Sequence, residues 1–491
     1  MAAMRLITLS VLTMAACLQA TAQELGVEKL YSNSCVKCHG DRGQGGGAGT
    51  RTLLNESLFA QEHDRRFFDA IKHGVPDGGM EAFGQTHNDA EMWGLVGYIR
   101  ELQYKAHRQR VGSPKPEAGG VFASEHHSFK IEKVIERGLE VPWSVDFLPD
   151  GKMLVADRPG EVRIHSTGKA GGKLSKPVGG TPEVRNRGQG GLMDVAVHPG
   201  YAQNGWIYLA YSHSLDNNAM TRIVRGKIVD QNGTAKWTDE QVIFEAKPEH
   251  YQSTNHHFGC RIVFDPKDPT IVFFCVGERG RGEMSQDLTR PNGKIFRIRD
   301  DGSIPPGNPF ADQPSAYASI WSYGHRNQQG MAFDLDGNLW DTEHGPRGGD
   351  ELNLITPGRN YGWPVVSFGF NYNGRPLVSP WPKNSVTASD PVSPDGIVMP
   401  TLRWMPSIAA CGLDVLRSDT FPKWKGDLFA GGLAGETVER IKIKDNKVIE
   451  QEEVIHGIGR VRDVVCSPDG SVYVVLNDPD IVVRMIPAGN R

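Results

Sequence analysis

Ser144-Val145-Asp146-Phe147-Leu148-Pro149-Asp150-Gly151 is an apolar strand closed by a Pro-Asp-Gly turn, and a second apolar strand follows it to Asp157. The same unit recurs five times. Met193-Asp194-Val195-Ala196-Val197-His198-Pro199 runs to Tyr211, Arg261-Ile262-Val263-Phe264-Asp265-Pro266 to Glu278, and Gly330-Met331-Ala332-Phe333-Asp334 to Glu343. Gly412-Leu413-Asp414-Val415-Leu416 runs to Gly432, and Asp463-Val464-Val465-Cys466-Ser467-Pro468-Asp469-Gly470 to Asn477. Asp146, Val195, Val263, Ala332, Asp414 and Val465 mark the copies, 49, 68, 69, 82 and 51 residues apart. Those intervals suit four-stranded blades of about 40–50 residues, with insertions in the middle copies. A sandwich or a barrel explains one strand pair but not its recurrence, so 126–491 is expected to be an all-β six-bladed propeller.

Composition agrees. The 58 glycines and 31 prolines make up roughly 18% of the 491 residues, against about 12% in average proteins, as many turns require. With 54 basic and 58 acidic side chains the net charge is −4, too balanced for a nucleic-acid partner.

The N-terminus reads as an export signal over 1–22: Arg5, an apolar run from Leu6 to Leu18, then Ala20-Thr21-Ala22. That run is too short to span a bilayer, and no later stretch is long and apolar enough. A periplasmic or secreted protein with no membrane span is expected. Met14-Ala15-Ala16-Cys17 weakly resembles a lipoprotein box, so a lipid tether at Cys17 is the competing expectation. In a compartment that permits disulfides, Cys260 and Cys275 sit on consecutive apolar runs, which suggests a cross-strand contact but does not establish a bridge.

Residues 23–105 carry Cys35-Val36-Lys37-Cys38-His39: two thiols to attach a haem and an imidazole to take its iron. A helical pattern from Gly26 to Asn33 precedes the motif. Gly74-Val75-Pro76-Asp77-Gly78-Gly79-Met80 then offers a thioether, and Asn88 to Leu102 reads as a capped amphipathic helix. This segment resembles the small class I cytochromes c, which implies a small all-α domain. It also implies one haem c, covalent at Cys35 and Cys38, with His39 and Met80 as iron ligands. Residues 106–125, with Gly112-Ser113-Pro114-Lys115-Pro116, read as a linker.

Loops entering the innermost strands of a propeller converge on its axis. Here they hold Gln189-Gly190-Gly191, His256-His257-Phe258-Gly259, His325-Arg326-Asn327-Gln328-Gln329, Ser407-Ile408-Ala409-Ala410-Cys411 and Gly459-Arg460-Val461-Arg462-Asp463. So many fixed donors ask for a ligand rich in carboxylates and carbonyls. Together with Glu343-His344-Gly345-Pro346-Arg347-Gly348-Gly349-Asp350-Glu351 and Asn360-Tyr361-Gly362-Trp363-Pro364, they resemble the soluble sugar dehydrogenases that depend on pyrroloquinoline quinone (PQQ), and most closely the aldose sugar dehydrogenase branch.

The resemblance implies oxidation of an aldose at C1 to the lactone. Arg460, Arg462, Gln189, Asn327 and His344 would hold PQQ, and the carbonyls of Gly345 and Pro346 a Ca²⁺ beside it. Arg326 would stabilise charge on the quinone, and His257 would be the base, with His256 its rival. Glu351 and Tyr361 would serve a second Ca²⁺. Electrons would pass to the haem and on to an external cytochrome or oxidase. Ala434 stands where the glucose-preferring branch has lysine, and His344 where it has glutamine, so a broader aldose site is favoured. Competing readings are a PQQ enzyme of another aldehyde or polyol, a Ca²⁺-dependent propeller lactonase, and a binding propeller that has lost its cofactor.

Overall fold

The computed structural model describes residues 26–46, 51–117, 119–377 and 396–489. The expected export signal and Cys17 lie outside the described residues. Among these residues no helix is long and apolar enough to cross a membrane.

Six antiparallel sheets form the propeller. Their innermost strands are Pro142–Phe147, Leu192–Val197, Ile262–Phe264, Gln328–Phe333, Ala410–Val415 and Arg460–Cys466, so the repeat read in the sequence is the inner hairpin of each blade. Four blades have four strands. The first has three, and the bridge His165–Leu174 continues its edge. The sixth has five, because Ser128–Ile135 pairs with the C-terminal strand Ile481–Pro487 and Val121–Ala123 adds to it. The first and last strands of the propeller thus share one sheet and close the ring.

An innermost strand has no neighbour on its axial side, so its N–H groups need other acceptors. Side chains of the adjacent blade supply them. Ser144 Oγ accepts from Val195 N at 3.0 Å and Asp146 Oδ2 from Val197 N at 2.6 Å, while Asp194 Oδ2 accepts from Ile262 N and Asp414 Oδ2 from Cys466 N. Thr342 Oγ1 donates to Cys411 O and Arg261 Nε to Gln329 O. Arg261 Nη1 also crosses to Asp194 (3.0 Å) and Asp463 (2.9 Å), joining blades two, three and six. An axial cavity of about 230 Å³ is lined by Asp146, Asp194, Arg261, Asp414 and Asp463.

The inner strand is bulged near its first residues in five of the six blades, at Pro142/Ser144, Leu192/Asp194, Gln328/Gly330, Ala410/Leu413 and Val461/Asp463. A bulge breaks the pairing and re-aims a side chain. Arg462 is the extra residue of the last one.

The N-terminal domain is helical: α1 (Val27–Ser34), α2 (Val36–His39), α3 (Asp64–His73) and α4 (Asp89–Val111). Asn88 and Glu91 form a reciprocal capping box at the start of α4, and α1 packs across it through Val27, Leu30 and Tyr31. The linker expected over 106–125 needs correction. Helix α4 continues past Leu102 to Val111 and stops at Gly112, whose φ of 75° ends it, while Val121–Ala123 already belongs to the sixth blade. The polar residues that read as linker face a partner instead: Arg108 is paired with Glu453 of the propeller. Cys260 N lies 3.3 Å from Cys275 Sγ, with both thiols unbridged.

Arg261→Leu would leave Asp194 and Asp463 as buried, unpaired carboxylates, a loss of about 3–5 kcal/mol in denaturant unfolding.

Candidate active site

His257 sits in a tight loop with φ of 54°, a left-handed conformation that costs energy for a non-glycine residue. The surroundings hold it there. Its N–H donates to Gln189 Oε1 at 2.8 Å and its carbonyl accepts from Arg279 N at 3.2 Å. The Arg279 side chain is fully buried, stacks 3.4 Å over Phe258, and donates to the carbonyls of Thr254, Ala219 and His256. The His257 imidazole is bonded through Nδ1 to the buried carboxylate of Glu278. Burial lowers the His257 pKa to about 4, with Arg326 and His256 adding to the effect against the pull of Glu278. Burial raises Glu278, but the His257 bond and Arg326 outweigh it and leave the carboxylate low. A neutral imidazole with Nδ1 engaged leaves Nε2 able to take a proton.

Glu278 was not singled out in the sequence as a site residue. It was quoted only as the acidic end of a repeat, and that end lies beside the entrance loop of its own blade. Glu343, at the same position in blade four, accepts from Arg326 N at 2.8 Å.

Arg326 donates through Nη1 to His344 O at 3.0 Å and lies 5.2 Å from the Trp363 ring. Asn327 Oδ1 accepts from Gly259 N, and its Nδ2 lies 3.5 Å from His344 Nδ1. Burial, with Arg326, His257 and Arg462 nearby, takes His344 down to about 3. Arg462 stacks 4.4 Å from Trp143 and donates to Asn477, which pairs with Arg460 across the hairpin. The structure therefore brings Gln189, His257, Arg326, Asn327 and His344 into one linked group. Arg462 reaches it through the field it exerts on His344. His256 is exposed with its ring 4.7 Å from that of His257, and His325 turns away into the blade.

Next to this group runs the loop 344–349. Asp350 pins it, accepting from Gly345 N, Ala410 N and Ser407 Oγ. The turn is too tight for a side chain, since a Cβ on Gly345 would meet Gly348 O at 2.4 Å.

Buried Nε atoms of Arg326 and Arg462 and Nε2 of His344 have no partner among the described residues, which fits an anionic, carbonyl-rich molecule at this mouth. Gly345 and Pro346 could turn oxygen donors to a hard cation beside it. Behind Arg326 lies a second group. His325, Asp341 and Glu343 place ligand atoms within 4.8 Å of one another. Glu351 joins Glu343 through Asn353, and the Tyr361 ring stacks on His325 at 4.5 Å. Both Asp341 oxygens and Asn353 Oδ1 have no hydrogen-bond partner among the described residues, as a site for a divalent ion in hard oxygen ligands would.

In the helical domain, Cys35, Val36, Met80 and Phe83 surround one core. Burial lowers the His39 pKa, keeping its imidazole available, and both thiols are unbridged. These residues could hold a haem, with thiols at Cys35 and Cys38, an imidazole at His39 and a thioether at Met80.

Residues 139–484 match the family described as Glucose / Sorbosone dehydrogenase. The chain belongs to that family. Residues 22–99 match the domain described as Cytochrome C oxidase, cbb3-type, subunit III, so this member of the glucose/sorbosone dehydrogenase family carries a cytochrome c domain ahead of its propeller. The aldose sugar dehydrogenase YliI of Escherichia coli is 40% identical over 350 residues, covering 70% of this chain and 90% of that protein. The structure of the soluble aldose sugar dehydrogenase of Escherichia coli in its apo form superposes with a TM-score of 0.65 at 36% identity, over 73% of this chain and 99% of that one. The PQQ-bound aldose sugar dehydrogenase of Streptomyces coelicolor gives 0.57 at 26%, over 73% and 98%. The Escherichia coli and Streptomyces coelicolor relatives of this family member are sugar dehydrogenases by name.

Asp350→Ala would strip the acceptor from Gly345 N, Ala410 N and Ser407 Oγ. Thermal unfolding of the unliganded chain is expected to register a loss of about 1–3 kcal/mol.

Proposed function

We propose that this protein oxidises aldoses at C1 to the lactone with PQQ as acceptor, and that its haem c carries the electrons to an external cytochrome or oxidase. The observation that carries the reading is His257: an imidazole bonded to the buried Glu278 carboxylate, beside a set of buried cationic and imidazole nitrogens that have no partner among the described residues.

PQQ, bound with Ca²⁺, supplies a two-electron acceptor at a polarised carbonyl. Residues of the chain do the rest. Arg460 and Arg462 match carboxylates, Gln189, Asn327 and His344 offer polar edges, and the carbonyls of Gly345 and Pro346 hold the cation. As the sugar's C1–H leaves with both electrons, its hydroxyl proton passes to His257 Nε2, and the C1 carbonyl of the lactone forms. Glu278 keeps the imidazole oriented and steadies the imidazolium that results. Arg326 faces the negative charge that develops, in a site where burial strengthens its effect. Glu351 and Tyr361 border the second buried group, which we assign to a structural Ca²⁺. The Escherichia coli relative is an aldose sugar dehydrogenase by name and the Streptomyces coelicolor relative is described with PQQ bound, both in keeping with this chemistry.

His257→Ala should lower dye-linked kcat by about 10²–10⁴-fold, the usual worth of a general base. Only neutral His257 accepts a proton, so kcat/KM should be level through the neutral range and fall as pH drops through about 4. A profile that falls around pH 7 would point to another base. Met80→Ala should slow turnover with a cytochrome acceptor while sparing turnover with a small dye. Equal loss in both assays would defeat the relay.

A further inference from the structure

The helical domain makes contact with the propeller along one face, at the loop that follows Gly345 and Pro346. Arg347 reaches into the helical domain, donating to Glu101 through Nε (3.2 Å) and Nη2 (3.1 Å) and to Glu28 through Nη2 (2.9 Å). Its guanidinium lies over Phe370 at 4.9 Å, and Arg347 and Phe370 exchange backbone hydrogen bonds. One turn before Glu101 on α4 is Gly97. A Cβ there would come within 2.8 Å of Met405 Cε and 3.3 Å of the Phe370 ring, so helix and propeller touch at van der Waals distance.

Two more ion pairs flank this contact. Arg403 of the propeller donates to Asp64, which also accepts from Arg100, and Arg108 of α4 pairs with Glu453. Val27 N donates to Gly374 O at 2.7 Å, and Val366, Phe368 and Ile397 join the helical domain's own apolar core. Charges alternate in sense across the contact, the propeller giving Arg, Arg and Glu to Glu, Asp and Arg, which fixes a single orientation. The turn Pro76–Gly78 ahead of Met80 is exposed, and Val75 beside it is 42% exposed.

We propose that the helical domain is clamped on the propeller rather than tethered to it, with α4 over the 344–349 loop, and that this docked arrangement is the one in which electrons cross to the haem. The proposal rests on the relay reading above and adds how the relay is held. Each sugar oxidation yields two electrons. Each crosses singly, reducing ferric haem to ferrous, and a one-electron external carrier reoxidises the haem before the next.

The test lengthens the connection 112–120 by a Gly/Ser insertion after Ser113 and follows haem reduction by stopped flow after aldose addition to the full holoprotein. A clamp predicts a rate within twofold of wild type. A tether predicts a fall of about fivefold when the connection triples, from the −3/2 power of length. Gly97→Val drives a wedge into the contact and should slow haem reduction at least tenfold while dye-linked sugar oxidation is unchanged. Glu101→Lys should act likewise, and serves if the valine variant fails to take up haem.

Solution scattering on the chain without PQQ gives an independent readout: one compact form for wild type and for the insertion, an expanded distribution for Gly97→Val. Slowing by the insertion as a tether requires, or both contact variants leaving scattering and haem reduction unchanged, would overturn the clamp. Absence of dye-linked oxidation in wild type would instead overturn the functional reading, and scattering would still decide the clamp.

Discussion

Arg261 stands on the propeller axis with its guanidinium between Asp194 and Asp463, and the ring of blades is organised around that charge. Blade-to-blade contact is mostly apolar and therefore non-directional, so it does not by itself set the angle between sheets. Directional bonds from Ser144, Asp146, Asp194, Thr342 and Asp414 to the next blade's backbone do set it. Several of their carboxylates are buried close together, and Arg261 is the cation that makes this tolerable. It also carries the site. The strand it anchors begins a few residues after His257, so the strained loop of the proposed base is tied to this buried charge cluster.

Above this hub the electrostatics invert. Arg326 and Arg462 approach His344 and lower its pKa along with burial, and buried nitrogens of all three have no partner among the described residues. Gathering like charges in a partly dry mouth costs stability that an anionic ligand would return. The arrangement reads as a site held ready for such a ligand, with Glu278 kept close to His257 as the one carboxylate that belongs to the chemistry.

Much of this was legible in the sequence, because a strand pair repeated six times has one economical solution and the Cys-x-x-Cys-His motif has a narrow meaning. The aspartates at 146, 194, 414 and 463 were quoted as part of the repeat, yet their purpose was not readable, since a carboxylate that bonds the neighbouring blade looks like any strand residue in one dimension. Glu278 was hidden for the same reason: it lies 21 positions from His257 and meets it only once the blade folds. Residues 106–111 misled by polarity. Their charges signal a helix face turned to Glu453, not a break in structure, and the helix runs on until Gly112. Contact between Arg347 and Glu101, 246 positions apart, has no sequence signature at all.

An anaerobic visible spectrum of the haem-loaded protein, taken with Ca²⁺ and with or without PQQ before and after an aldose is added, bears most directly on the central claim. Reduction of the c-type haem only when PQQ and sugar are both present is the expected result. A haem that stays oxidised with every aldose, although PQQ is bound, would contradict it.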